Sequence, residues 1–520
     1  MEFLYNENMR NIRCIFSTVI ISMLLFSCQY DADRSFTETY IRYKAIQEYQ
    51  YNQELKNYDR TIPDTITVYN REFHTELNET TEKKYLILMY LAGDSNSIQT
   101  HLLNNMISVS KGMALSSADI KTVAFFDGSD SYTILGSESG LFEIKPNYHC
   151  TNSTIANDYK ITKNLPDWIA SGEVDSGSYE TLGNFLSWAE DNYNSDCSRH
   201  TILVIGSHGI GTSGTESNVS SSLGTAYSFC PDYTSNTIIH TNEIPMAFEM
   251  AGFGTSNKID LIMYDTCLCG TIEEAYEVRN YAKAILFSPN EIPGAGFPYQ
   301  KTIANINAGS SIFSIGENLA KEYASIYENW KASDGSRPAT ITFADLTLVD
   351  GIESEVSAIA DYFVNNTQYS YILNNNSYNY LRYNNTKITS NNINYDCNYF
   401  INKNNVPHFY SFDLGYLCDK VQSFAENNNI TELSVICTNI KSRLGKIVAC
   451  SWRGNTSAGT YTDFNASTNY YGLTIVGNSG KYNPYAKTTF AFNTDTTWKN
   501  LLQLLYPEEF YSLIQKISLL

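Results

Sequence analysis

Positive charge is scarce in this chain. Of its 520 residues, 35 are Lys or Arg and 55 are Asp or Glu, a formal net charge of −20 at pH 7. A surface this acidic repels phosphate backbones and anionic headgroups, so nucleic acid and anionic membrane surfaces are poor partners. A basic peptide is attracted instead. Long apolar runs are scarce too: beyond the N-terminus none is long enough to span a bilayer. No Cys-x-x-Cys pair and no Cys/His spacing of the zinc kind occurs, so the sequence supports no zinc site. There are 11 cysteines, nine of them after Cys28. An odd number leaves at least one thiol unpaired, and a chain this long needs no disulfide framework. No repeat of fixed period is present. What is plentiful is apolar and aromatic: hydrophobic residues make up 43% of the chain and tyrosines number 40. That suffices for one large core with appendages, or for roughly two to four domains.

The N-terminal stretch MRNIRCIFSTVIISMLLFSCQYDADR starts at Met9 and orders two arginines, an apolar run from Ile15 to Phe26, and Ser27-Cys28. That order is the pattern of a secretory leader. Leu25-Phe26-Ser27-Cys28 resembles a bacterial lipobox, which implies diacylglycerol on Cys28 and cleavage before it. Glu2 and Glu7 do not suit a leader, so Met9 is read as the start. Asp31 and Asp33 resemble the acidic tag of surface-exposed lipoproteins. The expectation is a lipoprotein signal over 1–28, a tether over 29–80, and an outer-membrane lipoprotein, facing the surface or the periplasm.

From Lys84 the pattern changes. YLILMYLAGDSN (85–96), IKTVAFFDGSD (120–130), HTILVIGSHGIG (200–211), IDLIMYDTCLCG (259–270), AKAILFSPNEIPG (282–294) and PATITFADLT (338–347) are apolar runs with polar tips. Helical patterns separate several of them. SYETLGNFLSWAEDNY (178–193) puts Leu182, Phe185, Leu186 and Ala189 on one face, and IEEAYEVRNYA (272–282) follows the fourth run. Short apolar runs alternating with helices predict an α/β fold, a mostly parallel sheet covered on both faces. Such sheets bind ligands beyond the carboxyl ends of their strands, and all six polar tips are placed there. The core is read as 81–350. A C-terminal region, 351–520, carries an Asn/Tyr-rich insertion near 374–400, then a helix, strands and a helix.

A thiol with an imidazole is the most economical nucleophile and base at neutral pH. Among seven histidines, only His208 lies at the tip of a buried strand and is followed by glycine. Cys267 lies at the next tip, and adjacent parallel strands run about 4.8 Å apart. Gly209 offers an unobstructed N–H beside that of Cys267, a possible pair of oxyanion donors. Asp265 shares the side of Cys267 on an extended strand. The plainer readings are that Cys267 is a small core residue and Ser-His-Gly a turn. Cys267-x-Cys269 also permits a strained redox pair or a disulfide.

These residues resemble the clostripain-type cysteine peptidases, on the caspase-like fold shared with gingipains and legumain (clan CD). The likeness covers roughly Lys84 to Thr347, with a weaker tail, and rests on blocks in order. LILMYLAGDSN matches the first strand, SHG the histidine block, and DTCLCGTIEEAYE the nucleophile block. SPNEIPGAGFPY matches the following strand and loop, and YYGLTIVGNS with Thr497-Trp498 the C-terminal strand and helix. The resemblance implies a three-layer α/β/α sandwich with a C-terminal α+β extension and an endopeptidase cutting after Arg or Lys. It makes His208 the base, Cys267 the nucleophile, Gly209 and Cys267 the oxyanion donors, and Asp265 the floor of the P1 pocket. Glu291 would be a second acid there, its plain alternative being a solvated loop acid.

Two departures stand out. Cys269 replaces the family's usual Met, a packing residue. No Lys or Arg lies between His208 and Lys258, so self-cleavage after a basic residue has no site in this loop. Asp232 and Glu216 there could take a cation, and calcium is a possible cofactor, although no calcium-loop motif is present. No redox or organic cofactor is implied. Expected partners are basic peptides or proteins, and a membrane through Cys28. The rival reading is a non-catalytic surface lipoprotein of the same fold that binds peptide or glycan.

Overall fold

A computed structural model describes residues 67–68, 82–94, 98–129, 135, 139–170, 172–211, 228–330, 339–367, 411–454, 471–476 and 491–505. Cys28 with the rest of the leader, the tether apart from its two-residue strand, the Asn/Tyr-rich insertion and Glu216 lie outside these residues. The strands are, in chain order, β1 (Thr67–Val68), β2 (Lys84–Gly93), β3 (Asp119–Gly128), β4 (Gly140–Ile144), β5 (Arg199–Gly206), β6 (Gly209–Gly211) and β7 (Ser228–Asp232). They continue with β8 (Thr237–His240), β9 (Ile259–Asp265), β10 (Ala282–Phe287), β11 (Thr340–Asp345), β12 (Ser411–Asp413), β13 (Val448–Arg453) and β14 (Thr474–Val476).

Nine strands form one sheet in the order β1-β13-β11-β10-β9-β5-β2-β3-β4. The five central strands, β3, β2, β5, β9 and β10, are parallel. Their sequences are almost unbroken apolar runs because both faces are covered. In β2, Leu86, Leu88 and Tyr90 enter one core, while Tyr85, Ile87, Met89 and Leu91 enter the other. Helices close both faces. On one side lie α1 (Gln99–Met113) and the helices Tyr299–Ala304 and Ile312–Tyr327; on the other lie Tyr179–Tyr193, Ile244–Met250 and Ile272–Val278, with the C-terminal helices. This is the expected three-layer α/β/α sandwich. Helix Tyr179–Tyr193 buries the predicted Leu182, Phe185, Leu186 and Ala189, and the Ser178 hydroxyl caps it by accepting from the Glu180 N–H at 3.1 Å.

One expectation is overturned. β11 pairs with β10 antiparallel, placing Asp345 opposite Ala284. The polar tip of β11 therefore lies at the opposite end of the sheet from the other five. An apolar run with a polar end carries no sign of direction, so the sequence left this undecided. The C-terminal part also holds a helix, Thr431–Ile447, where the sequence reading had none, and β13 joins the main sheet beside β11. Among the described residues no helix is long and apolar enough to cross a membrane.

Candidate active site

The site grows from the register of two strands. Gly206 of β5 pairs with Asp265 of β9. Two residues further on, His208 and Cys267 therefore leave neighbouring strand tips at the same level. The tip of β5 is fixed on both sides: the Ser207 N–H donates to the Asp265 carbonyl (3.4 Å) and its hydroxyl to the Ala92 carbonyl (2.6 Å). A Cβ at position 209 would overlap the Cys267 carbonyl oxygen and lie 2.8 Å from the Cys267 nitrogen. Only glycine lets the two tips touch. Gly209 pairs with Phe229 of β7, and the adjacent ladder bond runs from the Cys230 N–H to the His208 carbonyl. Gly209 thus holds a non-hydrogen-bonded ladder position, where an N–H points away from the partner strand.

After Cys267 the chain turns through Leu268, whose φ of 65° is left-handed. That region costs an L-residue roughly 1–2 kcal/mol. The twist breaks strand alternation. Cys267 packs into the core beneath α1, and Cys269 into the core on the opposite face. The thiol of Cys269 lies 3.0 Å from the Thr266 hydroxyl and 3.4 Å from the Cys267 carbonyl. The two thiols therefore do not face one another, and both are free, which removes the redox-pair reading. The turn is held from both sides. The Leu268 N–H donates to Asn290 and the Gly270 N–H to Ser288, while the Thr474 N–H and hydroxyl both donate to the Gly270 carbonyl.

Asp265 and Cys267 share the α1 side, as alternation requires. The Asp265 carboxylate is buried and accepts from Asn105 Nδ2 (3.0 Å), the Tyr299 hydroxyl (2.8 Å) and the Phe297 backbone N–H. Burial outweighs these three donors and pushes its carboxyl up to about 6. Among the described residues no Lys or Arg pairs with it. The loop after β10 runs across this face. The Ile292 N–H lies 3.4 Å from Cys267 Sγ, and Gly296, at φ 70°, rests against the Asp265 carboxylate, where a Cβ would collide. Glu291 is buried in the same loop, so it is not a solvated loop acid.

His208 is buried, and burial lowers its imidazole to about 4, with a smaller contribution from His101 nearby. At neutral pH it is the uncharged, proton-accepting form. His101, Asn105 and Tyr299 were not singled out from sequence. His101 and Asn105 lie one turn apart on α1, and both are buried. Two polar residues at that spacing within a buried helix face were the available signal.

Asp232, expected as a cation ligand, lies at the end of β7. Its carboxylate groups with those of Asp94 and Glu173, all three within 4.8 Å of one another. The Thr234 N–H donates to Asp94 at 2.7 Å, and those of Ser176 and Ser235 to Asp232 at 2.8 and 2.6 Å. Burial raises the Asp232 pKa, and the neighbouring Asp94 adds to the rise.

The family model described as the clostripain family matches residues 89–504. Clostripain of Hathewaya histolytica is 21% identical over 450 residues, covering 79% of this chain and 78% of clostripain. The structure of an inactive zymogen C11 protease from Parabacteroides distasonis superposes with a TM-score of 0.50 at 16% identity, covering 81% of this chain and 99% of the other. A secreted C11 cysteine protease from Bacteroides thetaiotaomicron, in complex with an irreversible peptide inhibitor, gives a TM-score of 0.49 at 16% identity over 80% and 99% of the two chains.

Proposed function

Because this chain belongs to the clostripain family and is a cysteine protease, we propose that it is an exported, lipid-anchored endopeptidase that cuts after Arg or Lys. Cys267 is the nucleophile and His208 its base. The reading of specificity rests on one observation: a buried carboxylate, Asp265, on the face of Cys267 and two residues before it, has no cationic partner among the described residues. A buried acid of that kind is completed by a guanidinium or ammonium group brought by the substrate.

In the reaction, the neutral imidazole of His208 takes the thiol proton of Cys267, and the sulfur attacks the scissile carbonyl carbon. The oxyanion receives hydrogen bonds from the N–H groups of Gly209 and Cys267. Collapse breaks the C–N bond, and His208 returns the proton to the leaving amine. Water then attacks the thioester with His208 as base, releasing the acid and restoring the thiol. Glu291 lies one residue before the loop amide at Cys267 Sγ and would be the second acid of the pocket.

Calcium, if bound, fits best at Asp94, Glu173 and Asp232: three carboxylates close together are hard oxygen donors of the kind it prefers. Burial is the main cause of the raised Asp232 pKa, and a cation there would offset the Asp94 repulsion that adds to it. A calcium-dependent rise in melting temperature, lost in Asp232→Asn, tests this. Anchoring would be through diacylglycerol on Cys28, tested by fatty-acid labelling that Cys28→Ala abolishes.

The experiment for the central reading is covalent labelling under reducing conditions. Peptidyl-Arg and peptidyl-Lys acyloxymethyl ketones should modify Cys267 in the full chain, and analogues with a neutral P1 residue should not. No modification, with calcium or without, would sink the reading.

A further inference from the structure

His101 is a buried group that this mechanism leaves unused. It is 6% exposed, and neither ring nitrogen has a hydrogen-bond partner among the described residues. A buried polar group without a partner costs roughly 1–3 kcal/mol, and each such group asks for an explanation. Its surroundings are defined by one loop. Ile292 places its N–H against the nucleophilic sulfur. Two residues on, a Cβ at Gly294 would lie 3.0 Å from His101 Nε2. Two residues further, Gly296 rests on the Asp265 carboxylate and on Asn105. The turn between is closed by the Gly296 N–H to Pro293 (2.8 Å) and by the Tyr327 hydroxyl on the Gly296 carbonyl (2.9 Å). Along this loop the order is Cys267, His101, Asp265. A P1 side chain reaching from the scissile bond to the Asp265 carboxylate follows the same course.

We propose that His101 is a specificity-determining residue of the P1 pocket, its neutral imidazole accepting a hydrogen bond from the guanidinium of a P1 arginine. The inference deepens the assignment of basic P1 specificity and rests on it. The Asp265 carboxylate already accepts three hydrogen bonds from the protein, so it cannot take all five guanidinium N–H groups. The imidazole supplies a further acceptor within the pocket wall. An ammonium has three donors on a compact head and needs this acceptor less. His101 therefore favours Arg over Lys. Desolvation pushes its imidazole down to about 4, so the accepting form is present across the neutral range.

The test is steady-state cleavage of matched P1-Arg, P1-Lys and P1-Leu peptides by the wild type, His101→Phe and His101→Gln. The expected result in His101→Phe is a KM for the Arg peptide raised about tenfold to a hundredfold, the value of a hydrogen bond to a charged group. kcat should change less, and the Arg-to-Lys ratio of kcat/KM should fall. His101→Gln, which keeps an acceptor, should recover part of the ratio. An equal loss on all three peptides, or no change in the ratio, overturns the proposal. Should the variants fail to fold, a crystal structure of the wild-type adduct with a peptidyl-Arg ketone decides. A His101 nitrogen more than about 3.5 Å from the guanidinium, beyond hydrogen-bond reach, overturns it. A wild type that cleaves neither basic peptide sinks the specificity reading itself. A wild type that cleaves both while His101→Phe leaves their ratio intact sinks only the inference.

Discussion

The Cys-Leu-Cys turn divides two regions that share an inventory and differ in what they leave open. Each side of the sheet holds one cysteine of the Cys-Leu-Cys turn beside a buried carboxylate with raised pKa, Asp265 on one side and Glu274 on the other. On the Cys269 side these groups are hydrogen-bonded. Glu274 accepts from the Thr241 hydroxyl (2.5 Å) and the Tyr264 hydroxyl (2.6 Å), and the Cys269 thiol lies 3.0 Å from the Thr266 hydroxyl. On the Cys267 side the sulfur's hydrogen-bond contacts among the described residues are the amide and carbonyl of Ile292. The His101 nitrogens are unpartnered, and Asp265 has no countercharge among the described residues. Burial and perturbed pKa values do not separate a working site from a structural one. The two sides of this turn differ instead in the unfilled capacity of Asp265 and His101.

The sharpest way to break this comparison is to exchange the cysteines' fates. Cys267→Ala should lower peptide turnover by at least about 10³-fold, since removal of a nucleophile leaves only binding and oxyanion stabilisation. It should also abolish modification by peptidyl-Arg ketones. Cys269→Ala should keep kcat/KM within a few-fold of wild type. Equal losses in the two variants would undo the distinction.

Next in size is Asp265→Asn. It removes one partner of a buried charge pair, worth about 2–5 kcal/mol in such cases, so kcat/KM for Arg peptides should fall by roughly 30-fold or more. A pH signature accompanies it. Burial holds the Asp265 carboxyl up to about 6, and only the ionised form attracts a cation. In wild type kcat/KM for Arg peptides should therefore fall as pH drops through about 6. Since kcat/KM reports groups of the free enzyme, and His208 is pushed down to about 4, this step belongs to Asp265 and should vanish in Asp265→Asn. A step at the same pH in both would reassign it.

The open side was legible in sequence where its chemistry sits at strand tips. His208, Gly209, Asp265 and Cys267 fall at the ends of two apolar runs that follow one another in the sequence reading, and their strands β5 and β9 prove to be neighbours in the sheet with Gly206 and Asp265 in register. His101 and Asn105 were not legible, because Asn105 meets Asp265 across 160 residues of sequence and the helix face alone does not name its partner. The reversal of β11 and the helix Thr431–Ile447 were missed for different reasons. Direction leaves no trace in an apolar run. That helix does carry a periodic set, Leu433, Cys437, Ile440 and Leu444, but its apolar end merges with the following strand. The opposed faces of Cys267 and Cys269 hang on the φ of Leu268 alone, and leucine gives no warning of a left-handed backbone.

The smallest effect concerns the closed side, through Glu274. Burial raises its folded pKa above the ordinary glutamate value. The native state therefore binds its proton more tightly than the unfolded chain does. The stability linked to this proton is fully present below the unfolded pKa and is lost as pH rises through the folded one. Two hydroxyls hydrogen-bond to the carboxyl. Glu274→Gln keeps an acceptor oxygen for one of them and removes the titrating group, so its effect should be within about 1 kcal/mol. The informative readout is slope. The fall in wild-type melting temperature between acid and neutral pH should become shallower in Glu274→Gln, with kcat/KM unchanged within twofold. A change in activity larger than the change in stability would mean that the two sides of the turn are coupled after all, through the strained Leu268 that joins them.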